Sequence, residues 1–435
     1  MNVTILGAGL AGITLAYFLQ ENKNIDSITL LEKEKTSGGL CRSLRVGSYT
    51  YDIGPHILFS KDKEMLNLML SVLNEKNDLR RSNQIIFKKR WIQYPFENDL
   101  SKLPAKDLQY CIQAFNHNPY ENYEASNMLQ FFLKTFGEGI TNSYLRPYNE
   151  KIWKYDPSYM NTSMVDRIPK PTPDEIRRSA SGETVDGYVH QLYFSYPSQG
   201  GIEAVVRGFE KKLNSKCKIE TDKEVTRVEK LSEGFSITTS DGVMQKTNLV
   251  ISTIPVQELT AAYSASTGEI RSKVQDLRYN SIMIAFVKTK YDLCGENFAF
   301  MIPDKNVIFH RISKMDFLGD AYKSDGATYM VEVTYRKHDS ADSMSEDAMK
   351  RVITEGVCEI GFAKEMQDVE VLALTRHQYA YVIYDINHTA HMTKIRDFYR
   401  QQGIVLHGRF GNFEYWNMDR ILRESFELAE RLSRN

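Results

Sequence analysis

The stretch Val3-Thr4-Ile5-Leu6-Gly7-Ala8-Gly9-Leu10-Ala11-Gly12 decides how the rest of the sequence is interpreted. Its apolar start predicts a short strand, its glycines follow the spacing Gly-x-Gly-x-x-Gly, and residues 13–20 and 27–32 predict a helix and a second strand. In such a βαβ unit the three glycines allow, in order, a tight turn, close approach of a pyrophosphate, and packing of helix on strand. The N-terminus of the helix stabilises the anion. The sequence therefore predicts a dinucleotide-binding α/β fold.

Glu32 ends the second predicted strand, 20 residues after Gly12, where a carboxylate accepts a hydrogen bond from a ribose 2′-OH. These features suit NAD as well as FAD. The choice of FAD depends on Ser37-Gly38-Gly39-Leu40-Cys41-Arg42, which resembles the second glycine pair of the large FAD-binding family that includes amine oxidases and protoporphyrinogen oxidase. In that family these glycines and the arginine lie against the pyrophosphate, and the strand at Val225 meets adenine, although Val225 could equally be a core valine. The FAD-binding residues implied are Gly7, Gly9, Leu10, Ala11, Gly12, Glu32, Gly38, Gly39, Leu40, Arg42 and Val225.

The patterning of the remaining chain predicts a discontinuous arrangement of domains. Residues 62–76 and 105–146 have mostly helical patterning, strand-like runs occupy 280–385, and residues 419–432 form an amphipathic helix. We predict an α/β fold with three parts: a Rossmann-like FAD-binding domain (1–60, 197–255 and 403–435), a mainly helical insertion (61–165), and a mainly antiparallel sheet domain (166–196 and 256–402) that with the insertion binds substrate.

Composition excludes several classes of partner. The 435 residues carry a formal net charge of -1, which gives no electrostatic reason to expect nucleic acid as a partner. The five scattered cysteines form no C-x-x-C pair, so we expect a reduced, cytoplasmic protein without a metal site. No apolar run approaches the roughly 20 residues that span a bilayer. A homo-oligomer is left open.

Further blocks of sequence occur in the order found in UDP-galactopyranose mutase. They are residues 51–59 (YDIGPHILF), 91–98 (WIQYPFEN), 146–153 (RPYNEKIW), 196–201 (YPSQGG) and 408–415 (GRFGNFEY), the last followed by Asn417-Met418-Asp419. Each block alone is only moderately specific, because aromatic residues also fill cores. Their joint order, from residue 3 to about residue 430, marks the chain as similar to this family.

The resemblance implies a flavin-dependent isomerase that interconverts the pyranose and furanose forms of a UDP- or dTDP-sugar for cell-surface polysaccharide. In that chemistry FAD, reduced by NAD(P)H or another donor, forms a covalent adduct between flavin N5 and the sugar, and the expelled nucleotide later returns. A diphosphate is well held by planar, permanently charged arginines. Arg167 and Arg311 are assigned this role, with Tyr381 and Tyr415 as hydrogen-bond donors.

The remaining site residues follow from the same resemblance. His56 is assigned a place over the flavin, where it supports the reduced state. Positive charge at Arg409 and the start of the last helix, at Asn417 and Met418, would stabilise anionic flavin. The sugar and nucleotide pocket is assigned Phe59, Tyr94, Asn149 and Trp153.

One position departs from the family pattern, and one other enzyme class competes. Glu97 stands where an uncharged residue is expected beside uracil, so the base and the sugar stay open. An FAD oxidoreductase, amine-oxidase-like or desaturase-like, would share the whole FAD signature but would not explain two arginines and paired tyrosines near the flavin. A flavin-binding protein with a structural role is the third hypothesis.

Overall fold

The computed structural model describes residues 1–168, 170–183, 185 and 192–434, without the side chains of Asp166 and Arg167. Its strands form one parallel sheet, one large and mostly antiparallel sheet, and smaller ribbons, with helices around them. This arrangement confirms the predicted α/β class.

The parallel sheet has five strands. Their order is Ile404–Leu406, Leu249–Ser252, Asn2–Leu6, Ser27–Leu31 and Cys217–Glu220. All four residues from Val3 to Leu6 in the central strand are buried, as expected for a parallel strand covered on both faces. The helix Leu10–Leu19 packs against the long helix Met418–Arg434, where the hydroxyls of Thr14 and Ser425 lie 3.0 Å apart. The sheet draws on three separate parts of the chain, so the nucleotide-binding fold is discontinuous.

The large sheet has seven strands. Their order is Val369–Val382, Tyr279–Thr289, Ala327–Tyr335, Arg311–Lys314, Ala299–Met301, Asn83–Phe87 and Arg90–Gln93. Every neighbouring pair is antiparallel except Ala299–Met301 with Asn83–Phe87. Every residue of Ala327–Tyr335 is buried, because this strand lies inside the sheet and both its faces are covered. The mainly antiparallel character predicted for this part is thus observed.

Residues 61–165 differ in part from the expectation of a mainly helical segment. The helices Ala105–Asn116, Met128–Ile140 and Arg146–Trp153, with the π-helical turn Thr141–Leu145, follow the predicted pattern. Three unpredicted strands, however, lie at Lys76–Arg80, Asn83–Phe87 and Arg90–Gln93. The last two are joined by Lys88 and Lys89, both with positive φ (50° and 62°). Tight hairpin turns of this kind normally carry Asn or Gly, so a Lys-Lys turn gives no hairpin signal.

The other helices and strands surround the two main sheets or connect their strands. Among the described residues, the remaining α-helices are Lys63–Ser71, Pro173–Ala180, Glu203–Glu210, Val256–Ala262, Gly268–Asp276, Ser340–Ser343, Glu346–Glu359, His388–Gln402 and Gly408–Gly411. The remaining strands are Ser43–Val46 with Tyr49–Asp52, Tyr193–Pro197 beside Lys76–Arg80, and the ribbon Val225–Lys230, Phe235–Thr239 and Met244–Thr247. The first predicted residue of the strand at 191–196 lies outside the described residues. In the part of the chain that the structure describes, no helix is both long and apolar enough to cross a bilayer.

Candidate active site

A cavity of about 1040 Å³ is lined by residues of both main sheets. Gly7, Glu32 and Thr253, which follow three neighbouring parallel strands, line one side of it. Ligands of open α/β sheets bind at these carboxyl ends. Arg311 and Glu332 of the large sheet line the other side. Its volume lies at the upper end of the range for small-molecule and cofactor sites, about 1,000 Å³, which suits a ligand as large as a dinucleotide.

The two glycine motifs predicted to bind pyrophosphate face each other across the cavity floor. Gly7, with φ +94°, donates its N–H to Leu31 at 2.7 Å, and Gly38, with φ +118°, donates to Ala8 at 2.8 Å. A Cβ on Gly39 would lie 3.2 Å from the Cα of Gly9. The loops therefore approach as closely as backbones allow, and they leave exposed backbone for a phosphate.

Gly12 has the separate role that the motif predicts. A Cβ there would lie 2.2 Å from the carbonyl oxygen of Gly7 and 3.3 Å from Cγ2 of Ile5. Any side chain would push the first helix away from the central strand. Leu10 and Ala11 line the cavity beside this helix start.

Glu32 lies at the nucleotide end of the cavity and is 7% exposed. Its carboxylate accepts hydrogen bonds from the backbone N–H groups of Ala8 at 2.9 Å and Glu34 at 3.0 Å. Arg42, which also lines the cavity, pairs with Glu34 at 3.2 Å. Val225 and Leu40 line the same end. A backbone cradle with a buried carboxylate beside it fits the adenosine diphosphate half of FAD.

His56 and Arg409 lie at the far end of the cavity. The buried Nδ1 of His56 and Nε of Arg409 have no hydrogen-bond partner among the described residues. Burial, followed by the charges of Arg409 and Arg311, lowers the pKa of His56 to about 4, so its imidazole is neutral at pH 7. Arg409 donates from Nη2 to the carbonyl of Ala380 at 2.6 Å, and its guanidinium lies 4.0 Å from the ring centroid of Tyr415. Two unpartnered polar atoms at this end fit a polar ring such as isoalloxazine.

The last helix begins at the same end. Asn417 and Met418, predicted to lie near the cofactor, line the cavity where the helix Met418–Arg434 starts. The positive end of the helix dipole is therefore directed toward this part of the cavity.

Arg311 is paired with a residue that the sequence did not single out. Its Nε and Nη2 donate to the two carboxylate oxygens of Glu332, with Nη2 to Oε2 at 2.7 Å. Glu332 is fully buried, and the hydroxyl of Tyr381 donates to its Oε2 at 3.2 Å. The ring of Tyr415 stacks on that of Tyr381 with centroids 5.9 Å apart. Glu332 is the only charged residue in the fully buried strand Ala327–Tyr335, and a lone charge in such a run is a pattern visible in the sequence.

Only two of the four residues predicted to form the sugar and nucleotide pocket line the cavity. Phe59 and Tyr94 line the cavity, whereas Asn149 and Trp153 are not among the described residues that do. Trp153 donates its indole N–H to Asn149 at 2.8 Å, and its ring meets those of Tyr381 and Tyr415 edge-on. These two residues therefore support the tyrosines from behind.

The remaining predicted positions are Arg167 and Glu97. The side chain of Arg167 lies outside the described residues, so its place at the diphosphate stays a prediction. Glu97 is buried and is not among the described residues that line the cavity. Burial raises the pKa of its carboxyl to about 7.

Arg81 is a cavity residue that sequence reasoning missed. Its guanidinium lies 4.9 Å from the ring centroid of Phe59, and it lines the cavity together with Tyr94 and Arg311. The sequence offers a basic pair, Arg80-Arg81, but nothing in it indicates which arginine points inward.

The parallel sheet, the two facing glycine loops and the cationic, aromatic far wall define a dinucleotide-binding enzyme of the flavoprotein type. The chain belongs to the family described as flavin containing amine oxidoreductase, whose model matches residues 10–408. Membership confirms the flavin predicted from the glycine motifs.

Solved structures of similar fold include both isomerases and oxidases. The structure titled reduced UDP-galactopyranose mutase has a TM-score of 0.89 at 22% identity, covering 99% of this chain and 95% of that one. A fatty acid isomerase from P. acnes that produces CLA gives 0.68 at 13% identity, covering 99% and 98%. A redesigned putrescine oxidase gives 0.68 at 11% identity, covering 100% and 99%. At these identities the likeness concerns the fold.

Two curated relatives match short segments only. Coproporphyrinogen III oxidase of Staphylococcus aureus (strain NCTC 8325 / PS 47) is 37% identical over 68 residues, 15% of this chain and 14% of that protein. An uncharacterized protein of the nifH2 3′ region in Methanothermococcus thermolithotrophicus is 38% identical over 58 residues, 13% of this chain and 54% of that protein.

Proposed function

We propose that this protein is a flavin-dependent nucleotide-sugar mutase that interconverts the pyranose and furanose forms of a UDP- or dTDP-sugar, with reduced FAD as cofactor, in the cytoplasm. The observation that carries the proposal is the group formed by Arg311, Glu332, Tyr381 and Tyr415 at the end of the cavity opposite the nucleotide cradle. The high structural similarity to reduced UDP-galactopyranose mutase over nearly the whole chain supports it.

The cofactor would be held by the residues already described at each end of the cavity. The glycine loops and Glu32 would bind the adenosine diphosphate, and His56 and Arg409 would lie at the ring system. Reduced flavin supplies a nucleophile for the anomeric carbon of the sugar. Arg409 and the N-terminus of the last helix stabilise negative charge there.

The substrate would be held by Arg311 and the tyrosines. Glu332 occupies Nε and Nη2 of Arg311, which fixes the guanidinium plane and leaves Nη1 without a partner among the described residues. That nitrogen and the hydroxyl of Tyr415 can donate to a diphosphate, whereas the hydroxyl of Tyr381 donates to Glu332 and would have to turn from it to reach the substrate. Positioned donors keep the expelled nucleotide near the sugar until it returns.

An oxidoreductase is the second candidate function, because the family is described as one of amine oxidoreductases and the local match to coproporphyrinogen III oxidase favours it. In that case the same cavity would hold a substrate that passes a hydride to oxidised flavin. The neutral imidazole of His56 would then be available to exchange a proton with the substrate.

The state of the flavin during turnover separates the two functions. The FAD-loaded protein is incubated without oxygen, fully oxidised or fully reduced, with a panel of UDP- and dTDP-sugars, and products and flavin absorbance are followed together. We expect ring-isomerised sugar only with reduced flavin, which stays reduced. Bleaching of oxidised flavin by a substrate, with no isomerised sugar in either state, would replace the mutase with the oxidoreductase.

A further inference from the structure

The arginines that line the cavity differ in whether a neighbouring carboxylate neutralises their charge. Glu332 neutralises Arg311, and Arg409 donates to the carbonyl oxygens of Ala380 and Trp416. Arg81 forms no ion pair with any residue that the structure describes, although it lines the same cavity. Arg81 therefore differs from Arg311 in that no carboxylate of the described residues neutralises its charge.

Arg81 is also held in place for binding. Its backbone N–H donates to the carbonyl of Leu192 at 2.6 Å, and its guanidinium lies over the ring of Phe59. Stacking on an aromatic face fixes the plane of an arginine and leaves its edge free for hydrogen bonds. The buried Nε has no hydrogen-bond partner within the described part of the chain. A fixed, unpartnered donor is what a ligand oxygen requires.

A second unpartnered atom lies nearby in sequence and lines the same cavity. The Oδ1 of Asn83, at the start of the strand Asn83–Phe87, is buried without a partner among the described residues. An amide oxygen accepts hydrogen bonds, so it suits a hydroxyl or N–H group of the ligand and not the anionic oxygens themselves. Burial lowers the pKa of Arg81, Tyr94 acts in the opposite direction, and the like charge of Arg311 lowers it further. Arginine nevertheless remains protonated in proteins.

We propose that Arg81, with the hydroxyl of Tyr94, forms an oxyanion subsite of the cavity, which binds a phosphate or carboxylate group of the substrate. In the mutase this group is the diphosphate, so that assignment rests on the proposed function. The subsite itself depends only on the charges and contacts around Arg81. It adds a basic residue to Arg167 and Arg311, the two arginines to which the family resemblance assigns the binding of the diphosphate.

The test compares two neighbouring arginines in the FAD-loaded protein. Arg81→Met removes the cavity charge, and the matched control Arg80→Met removes the same charge from an exposed position that is not among the described cavity residues. Dissociation constants for UDP, inorganic pyrophosphate and malonate are measured by calorimetry, and FAD content and melting temperature are recorded. We expect Arg81→Met to weaken binding at least about tenfold, as for the loss of one charged hydrogen bond, and Arg80→Met to leave it within about twofold.

Each outcome bears on the subsite. If Arg81→Met weakens the binding of UDP and pyrophosphate, the subsite binds phosphate. If it weakens the binding of malonate alone, the subsite binds carboxylate, and this result counts against the mutase. Arg81-dependent binding without isomerase activity would leave the subsite standing and reject the mutase. If Arg81→Met does not retain FAD, Arg81→Lys decides, since it keeps the charge and loses the planar fork. The proposal is overturned if the Arg81 variant that retains FAD binds the probes as tightly as the parent does. It is also overturned if Arg80→Met weakens binding equally, or if no probe binds to the parent.

Discussion

The carboxylate of Glu332, fully buried within the large sheet, accepts hydrogen bonds from both Nε and Nη2 of Arg311. Arg311 is therefore one half of a buried ion pair as well as a candidate ligand for the substrate. Removing one partner of such a pair leaves an uncompensated buried charge, which costs about 3 to 5 kcal/mol.

Substitutions at this pair should be strongly non-additive. We expect Arg311→Met and Glu332→Gln each to lower the free energy of unfolding, with Arg311→Met costing about 3 kcal/mol or more because it leaves the carboxylate alone. The double variant should be less destabilised than the sum of the two. Urea unfolding with saturating FAD measures the free energy of unfolding of the parent, the two single variants and the double variant. Additive losses would show that the two side chains do not interact energetically.

The first glycine motif offers a matched pair of substitutions. Gly12→Ala would place a Cβ 2.2 Å from the carbonyl oxygen of Gly7, so we expect loss of folded protein or severe destabilisation. Gly9→Ala meets no protein atom closer than 3.7 Å, so the FAD-free protein should melt at the parent temperature. FAD affinity should nevertheless fall, because the new methyl group faces the phosphate approach. Equal FAD affinity in Gly9→Ala and the parent would place the pyrophosphate elsewhere.

The carboxylate of Glu32 holds two loop backbones in place and is also predicted to bind the cofactor. It accepts from Ala8 and Glu34 and is predicted to accept from the ribose as well. Glu32→Ala removes every acceptor, whereas Glu32→Gln keeps one oxygen. We therefore expect FAD retention after gel filtration to fall in the order parent, Gln, Ala. Full retention of FAD by the Ala variant would contradict a role in ribose binding.

Glu97 should make stability depend on pH. Burial raises its pKa from 4.5 in the unfolded chain to about 7 in the folded protein. The stabilising contribution of the protonated group is complete below pH 4.5 and is lost as the pH rises through about 7. Glu97→Gln is neutral at every pH, so its stability relative to the parent should increase by up to about 3 kcal/mol between pH 4.5 and pH 8. Urea unfolding at both pH values measures the difference, and a constant difference would mean that folding does not shift the pKa of Glu97.

The parts of the fold that depend on local pattern could be predicted from the sequence. The strand before Gly7, the glycine spacing, the position of Glu32 and the last helix all rest on neighbouring residues, and the structure has them close to where the sequence places them. The hairpin at Lys88 and Lys89 could not be predicted, because the surrounding sheet imposes positive φ on residues that do not favour it.

The site was less predictable because it depends on distant pairings. Arg311, Glu332 and Tyr381 lie on three strands of one sheet, and their hydrogen bonds depend on how those strands pair, which the local sequence does not reveal. The orientation of Arg81 depends on Phe59, from another segment. Trp153 matched a sequence block but lies behind the tyrosines, since sequence order does not reveal which layer of a site a residue occupies.

The parallel sheet combines residues 2–31, 217–252 and 404–406. During synthesis the first strand leaves the ribosome long before its last neighbour exists, and long-range pairing of this kind is slow and leaves apolar strands unprotected. The cavity also takes its lining from residues as far apart as Gly7 and Ile421. The complete cavity therefore exists only after residues as late as Ile421 have joined the fold, and the sheet is complete only when Ile404–Leu406 pairs with Leu249–Ser252.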